Sequence, residues 1–111
     1  MLRVKAQAYC IEAANPRHEW RVWEDVKLPS GKILIPGVVT HSTNVVEHPE
    51  LIAWRIQNFA RLVSRENVMA GTDCGFSQGW NWARVHDEVQ WAKLAALVDG
   101  AKLASQHLWI K

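Results

Sequence analysis

Blocks of apolar and polar positions along the chain predict strands and helices in alternation. Residues 4–13 (VKAQAYCIEA) have the β-branched and aromatic content of a strand, which an asparagine and a proline then end. Trp20, Trp23 and Val26 follow at a spacing of three, which predicts a short amphipathic helix. Residues 33–41 (ILIPGVVTH) are almost continuously apolar and predict a second strand that is covered on both faces.

The second half of the chain continues this alternation. Pro49 fits the first position of a helix. Residues 66–72 (ENVMAGT) predict the third strand, and Asp87 with Gln90 forms a capping-box pair for a helix over residues 88–106. The inward positions predicted for the two helices are Ile52, Ile56, Phe59, Ala60 and Val63 in the first, and Val89, Ala92, Ala96, Leu97 and Leu103 in the second.

Strands and helices joined by short connections are typical of right-handed βαβ crossovers, so the fold class is α/β with a parallel sheet. In such folds, functional side chains collect at the carboxyl ends of the strands. Glu12 ends the first predicted strand, His41 ends the second, and Asp73 with Cys74 ends the third. On spacing alone, a shared site and a chance distribution of these residue types are equally good interpretations.

The bulk composition narrows the classes of function. A chain of 111 residues with 49% hydrophobic and 22% charged residues is expected to form one globular domain at most. The formal net charge is +2, and the sequence has no basic run, which disfavours nucleic acid as a partner. No apolar run approaches the roughly 20 residues of a membrane span, and the first residues lack the apolar core of a signal peptide. We therefore predict a cytoplasmic protein without membrane contact, whose two cysteines are free thiols or metal ligands.

Three segments, taken in order, carry a family resemblance. YCIEAANPRHEW (9–20), IPGVVTHSTNVVEHPE (35–50) and AGTDCGFSQGW (70–80) resemble the last three strand ends in the catalytic barrel of cobalamin-independent methionine synthase and its shorter relatives. The aspartate-cysteine-glycine turn and the isoleucine-glutamate-alanine strand end are the most specific pieces. The resemblance implies a TIM (β/α)8 barrel, which needs on the order of 250 residues. Residues 1–111 would then form a single partial domain, the C-terminal portion with about three of the β/α units.

The resemblance also implies a zinc enzyme. Glu12 resembles the glutamate ligand of the family's catalytic zinc, and Cys74 resembles its final cysteine ligand. His41 lies where the family has the histidine thought to protonate the leaving nitrogen of the folate. The implied reaction transfers a methyl group from 5-methyltetrahydrofolate to the thiolate of homocysteine, as in methionine biosynthesis. The family's remaining ligands, a histidine and a cysteine, would lie before Met1.

Two alternatives stay open for the function. Relatives that use the same zinc-thiolate chemistry act on other substrates, such as the transferase that opens epoxides with coenzyme M. The second alternative is that the chain is a truncated, non-catalytic remnant. Three β/α units leave two open strand edges and an uncovered inner face, so we predict self-association or marginal folding when the chain is expressed alone.

Each candidate residue also has a purely structural explanation. Cys74 would be a small buried residue, Glu12 a solvated acid or a cap, and His41 a turn histidine bonded to backbone. Cys10 lies two residues before Glu12, points to the same side of the strand and is expected in the core.

The other histidines and a pair of tryptophans have no partner pattern in the sequence. Trp80 and Trp82, in the loop after Cys74, either wall the site or pack against the barrel rim, and packing is the commoner use. His18, His48, His86 and His107 are expected to be surface or capping residues.

Overall fold

The computed structural model describes residues 1–110 and shows a three-stranded parallel sheet with helices packed against it. The strand order is β1-β2-β3, so each strand pairs with the next one along the chain, and the predicted α/β class with a parallel sheet is confirmed. In chain order the elements are β1 (Ala8–Ile11), α1 (Val22–Asp25), β2 (Ile33–Val39), α2 (Pro49–Val63), a 3-10 turn (Arg65–Asn67), β3 (Gly71–Thr72), the hairpin strands β4 (Ser77–Gly79) and β5 (Trp82–Ala83), and α3 (Asp87–Leu108).

The strands are shorter than the apolar runs that predict them. β3 contains only two residues, and it is preceded by an isolated bridge between Leu34 and Val68. Its pairing with β2 shifts register between Gly37 and Val39, which breaks the ladder. Only part of each predicted strand therefore forms regular strand hydrogen bonds. The apolar pattern of a segment does not determine how many of its residues pair with a neighbouring strand.

Helix α2 forms as its pattern predicts. It begins at Pro49, and the ring Nδ1 of His48 caps it by accepting a hydrogen bond from the Glu50 amide at 3.1 Å. All five residues of the predicted inward stripe are buried, with Phe59 among the largest fully buried side chains. This stripe packs with Leu34 and Val38 of the sheet in the main hydrophobic core.

Helix α3 differs from its prediction at its start and on its inward face. Its N-cap is His86, whose Nδ1 accepts from the Glu88 amide at 3.3 Å, so the predicted capping box is wrong. Gly100 lies at the contact with α2, where a Cβ atom would be 2.5 Å from the Cβ of Ile52. This close approach turns Ala96 inward and Ala92 outward to solvent, against the prediction for Ala92. The buried residues of α3 are Lys93, Ala96, Gly100 and Ala104.

The sheet has one covered face and one face that is partly open. The register places Cys10 beside Ile35, on the face opposite to Leu34. Cys10 is exposed, Ile35 is half-buried, and Met69 is 56% exposed. The prediction that Cys10 lies in the core is therefore wrong, because α2 packs with Leu34 on the other face.

Helix α1 is a single turn that carries one buried side chain. Trp23 is buried, while Trp20 is half-buried and meets the ring of Trp54 edge-on, with 6.4 Å between ring centroids. None of the helices formed by residues 1–110 is both long enough and apolar enough to cross a bilayer.

Candidate metal centre

Three predicted side chains meet at one edge of the sheet. Glu12 follows β1, His41 follows β2 and Cys74 follows β3, and the strands are parallel, so their carboxyl ends lie together. One ligand atom from each residue lies within 4.8 Å of the ligand atoms of the other two. A carboxylate, an imidazole and a thiol are the three donor types that zinc takes in proteins.

Glu12 and Cys74 are in direct contact. The Cys74 thiol donates a hydrogen bond to Glu12 Oε1, with 2.7 Å between sulfur and oxygen. This bond lowers the pKa of the Glu12 carboxyl, and it raises the pKa of the Cys74 thiol because the thiol is the donor. The proton between the two groups occupies the place that a cation would take, because a metal binds the thiolate and the carboxylate only after that proton has left.

His41 supplies the third group from a buried position. Its side chain is 7% exposed, and its Nδ1 has no hydrogen-bond partner among residues 1–110. A buried ring nitrogen without a partner costs free energy, and such groups are rare unless a ligand, an ion or a water satisfies them. The residues present therefore fit a zinc ion, either with His41 as a ligand or with His41 beside the ion as a proton donor.

Asp73 joins the ends of the strands that carry this site. Its side chain is fully buried, and Oδ1 accepts hydrogen bonds from the amides of Ala13 at 2.8 Å and Ala14 at 3.1 Å. Oδ2 accepts from Asn15 Nδ2 at 3.0 Å, and the same amide group donates to Glu12 Oε2 at 3.1 Å. The Asp73 amide donates to the Val39 carbonyl at 2.8 Å, so Asp73 connects β1, β2 and β3.

Gly37 leaves the space that the Asp73 carboxylate fills. A Cβ atom at Gly37 would lie 1.9 Å from Asp73 Oδ1 and 2.6 Å from the Asp73 amide nitrogen. In the sequence, Asp73 stands out only as a strand-end residue, and this function was not predicted. The available signal was the glycine inside an apolar strand, which indicates a close approach by another group.

The turn that presents Cys74 has an unusual backbone conformation. Cys74 has φ = 36°, in the left-handed region that non-glycine residues seldom adopt. Thr72 Oγ1 donates a hydrogen bond to the Cys74 carbonyl at 3.0 Å and closes the turn. The strained backbone, the Thr72 bond and the Asp73 contacts together direct the sulfur toward Glu12.

An open cleft of about 800 Å³ lies beside Glu12. His18 stands at its rim, with 3.6 Å between His18 Nδ1 and Glu12 Oε2. This cleft gives a small molecule access to the Glu12 side of the cluster. Its walls include Leu2, Ile11, Arg17, Val22 and Trp23.

The remaining candidates fall outside this cluster. All four histidines expected at the surface or in caps are exposed, and two of them cap helices, so that prediction is confirmed. Trp80 is 97% exposed on the β4–β5 hairpin, and Trp82 is 54% exposed beneath the Arg84 guanidinium. The hairpin extends into solvent within residues 1–110, so packing of this pair against a barrel rim stays a prediction.

Comparison with known proteins gives relatives of unknown function and one informative structure. No protein-family model matches the chain. The uncharacterized proteins YxjH and YxjG of Bacillus subtilis (strain 168) are each 32% identical to it over 66 residues. The match covers 60% of this chain and 18% of each relative, so the chain spans much less than the relatives' full length.

The fold is similar to part of one solved structure. The structure of a B12-independent methionine synthase from Shewanella sp. W3-18-1, in complex with selenomethionine, aligns with a TM-score of 0.78 and 20% identity. The alignment covers 96% of this chain and 29% of that chain. The family resemblance noted in the sequence is thus supported at the level of the fold.

Proposed function

We propose that the chain is the C-terminal part of a (β/α)8 barrel of the cobalamin-independent methionine synthase type. Its site would act in zinc-dependent methyl transfer from 5-methyltetrahydrofolate to homocysteine. The observation that carries this proposal is the convergence of Glu12, His41 and Cys74 within 4.8 Å at one sheet edge. The fold shared with a methionine synthase over 96% of the chain supports it.

The residues divide the chemistry between metal binding and proton transfer. Glu12 and Cys74 would hold the ion, after the proton they share has been released to solvent. Zinc, when bound, would supply the charge that keeps the substrate thiol deprotonated. In the transfer, the bond from sulfur to the methyl carbon forms as the bond from that carbon to the folate nitrogen breaks. His41 would deliver the proton that makes this nitrogen a good leaving group.

Zinc content tests this proposal. We expect the chain, expressed within a complete barrel that supplies the remaining ligands, to retain about one zinc ion after dialysis against a mild chelator, because Glu12 and Cys74 then complete a catalytic zinc site. Elemental analysis against protein concentration measures the ratio. Cys10→Ser is the matched control, since Cys10 is also exposed but lies outside the cluster. A zinc-free wild-type barrel would show that Glu12 and Cys74 hold no metal in this protein.

The choice of thiol needs a direct assay. The chain, expressed within a complete barrel, is supplied with 5-methyltetrahydrofolate and homocysteine, or with an epoxide and coenzyme M. Methionine formation supports the proposal, whereas alkylation of coenzyme M supports the related transferase.

Both cysteines are free thiols, which fits a reducing cytoplasm as the place of this activity.

The isolated chain is expected to self-associate or to fold marginally. β1 and β3 each pair with one strand only within the described chain, and the sheet face with Cys10 and Met69 is partly open. Unpaired edges and exposed apolar surface favour association. Analytical ultracentrifugation should show oligomers, and Met69→Lys should reduce their proportion without changing the circular dichroism spectrum. A monodisperse wild-type monomer with a sharp two-state melt would contradict the prediction.

A further inference from the structure

A buried ion pair lies behind the segment that carries His41. The Lys93 side chain is fully buried in the second turn of α3, and Glu47 is buried directly before the cap of α2. Lys93 Nζ donates to Glu47 Oε1 at 2.7 Å and to the Val45 carbonyl at 2.6 Å. Both charges are therefore removed from water and satisfied by each other and by the backbone.

The second oxygen of Glu47 reaches back to the end of β2. Glu47 Oε2 accepts a hydrogen bond from the Thr40 amide at 2.7 Å. Thr40 immediately precedes His41, and its hydroxyl lies 2.8 Å from that of Ser42. One carboxylate thus closes residues 40–47 into a loop, and Lys93 attaches that loop to α3.

Stability alone is a poor explanation for this buried ion pair. A buried ion pair is often no more stable than well-packed apolar side chains of similar volume, and its best-attested use is to specify one conformation. The conformation specified here is that of the backbone at Thr40 and His41. The His41 ring has no partner for Nδ1 within residues 1–110, so no bond at that nitrogen sets its place, which depends instead on the backbone and on the packing around the ring.

We propose that Glu47 and Lys93 are positioning residues of the candidate site. Glu47 holds the Thr40 amide, and Lys93 holds Glu47, so that the His41 imidazole stays within reach of Glu12 and Cys74. Neither residue touches the cluster. As a statement about metal binding this inference rests on the proposed function, but the fixed position of the His41 backbone is testable without any metal.

Two double variants separate positioning from stability. Glu47→Leu with Lys93→Met removes both charges and also the acceptor for the Thr40 amide. Glu47→Gln with Lys93→Met removes the same charges but keeps a side-chain oxygen that accepts from Thr40. Both should fold, because apolar or neutral replacements of a buried pair are tolerated, and the leucine variant should be the less stable of the two because its Thr40 amide loses an acceptor.

Hydrogen exchange at the Thr40 amide is the first readout. We expect exchange about tenfold faster in the leucine variant, as the loss of one hydrogen bond predicts, and near the wild-type rate in the glutamine variant. The Val38 amide within β2 is the internal reference. Zinc affinity is the second readout, and it should fall about tenfold or more in the leucine variant only, as for other residues that orient a ligand.

The outcomes are distinct for the two proposals. If the wild-type complete barrel binds no zinc, the proposed function fails, while the exchange rates still decide whether Glu47 fixes the loop. Wild-type exchange at Thr40 in the leucine variant would overturn the positioning role, as would equal loss of zinc in both variants. If the leucine variant does not fold, Glu47→Asp replaces it, because the shorter carboxylate keeps the charge beside Lys93 but withdraws from Thr40.

Discussion

Replacing Asp73 with asparagine is expected to lower the free energy of unfolding by about 3 kcal/mol and to move Glu12 and Cys74 apart. The carboxylate accepts only, and all its neighbours donate: the amides of Ala13 and Ala14 and the side chain of Asn15. An asparagine must point its own amide group at one set of these donors, whichever way it is oriented. The side chain is fully buried, so no water replaces the lost bond.

Urea unfolding followed by tryptophan fluorescence measures this change, with zinc affinity as the companion readout. Asp99→Asn is the matched control, since Asp99 is exposed on α3 and the same chemical change there should cost little. If Asp73→Asn unfolds at the wild-type urea concentration, the hydrogen bonds described here do not hold the strand ends. If it is less stable but binds zinc as tightly as the wild type, Asp73 stabilises the sheet without arranging the site.

Changing Cys74 to serine is expected to abolish zinc retention and methyl transfer together. A serine hydroxyl stays protonated near neutral pH and is not among the usual zinc ligands, whereas a thiol gives up its proton to the metal. Substituting a residue that only orients a ligand already costs 10- to 100-fold in affinity, so losing the ligand should cost at least about 100-fold. The fold should change little, because Cys74 is exposed and its side chain contacts Glu12 at the surface.

The experiment uses a complete barrel in which residues 1–111 form the last units. Zinc content and the rate of methionine formation are measured on the same preparation, with Cys10→Ser as the control that removes the other thiol. Loss of both properties in Cys74→Ser only is the expected result. Wild-type activity in Cys74→Ser would remove Cys74 from the site, and loss of activity with full zinc would assign it another role.

The sequence predicted that the three side chains stand at strand ends, but their spacing alone left a shared site and a chance distribution equally good, and only the family resemblance favoured a shared site. Apolar runs place the ends of strands, parallel pairing brings those ends to one edge, and Glu12, His41 and Cys74 stand directly at or after them. Helix α2 was also predictable. Apolar residues at a 3.6-residue period form one side of a helix, and that side is buried whatever part of the protein covers it.

The supporting contacts were not predictable, because each joins residues that are remote along the chain. Asp73 and Ala13 are 60 positions apart, and Lys93 and Glu47 are 46 positions apart. Periodicity can place a residue on one side of an element but cannot say what covers that side. This is why the direction of Cys10 was predicted and its burial was not.

The predicted capping box of α3 was wrong because two adjacent residues compete for the N-cap position. His86 and Asp87 are adjacent, and both are capable of accepting a hydrogen bond from the first turn of a helix. The sequence favours the aspartate because it stands three residues before a glutamine. In the structure, Gln90 instead donates from its side chain to the Val85 carbonyl at 2.9 Å, which leaves the cap to His86.

The Asp73 carboxylate, which fills the space left by Gly37, also fixes the alignment of β2 with β3. A strand of two residues, such as β3, has too few ladder bonds to choose between alignments one residue apart. Slippage by one position would bring Asp73 against Pro36 or Val38, where a side chain occupies the space. Only one alignment admits the carboxylate, so misaligned strands would not bring Glu12, His41 and Cys74 together.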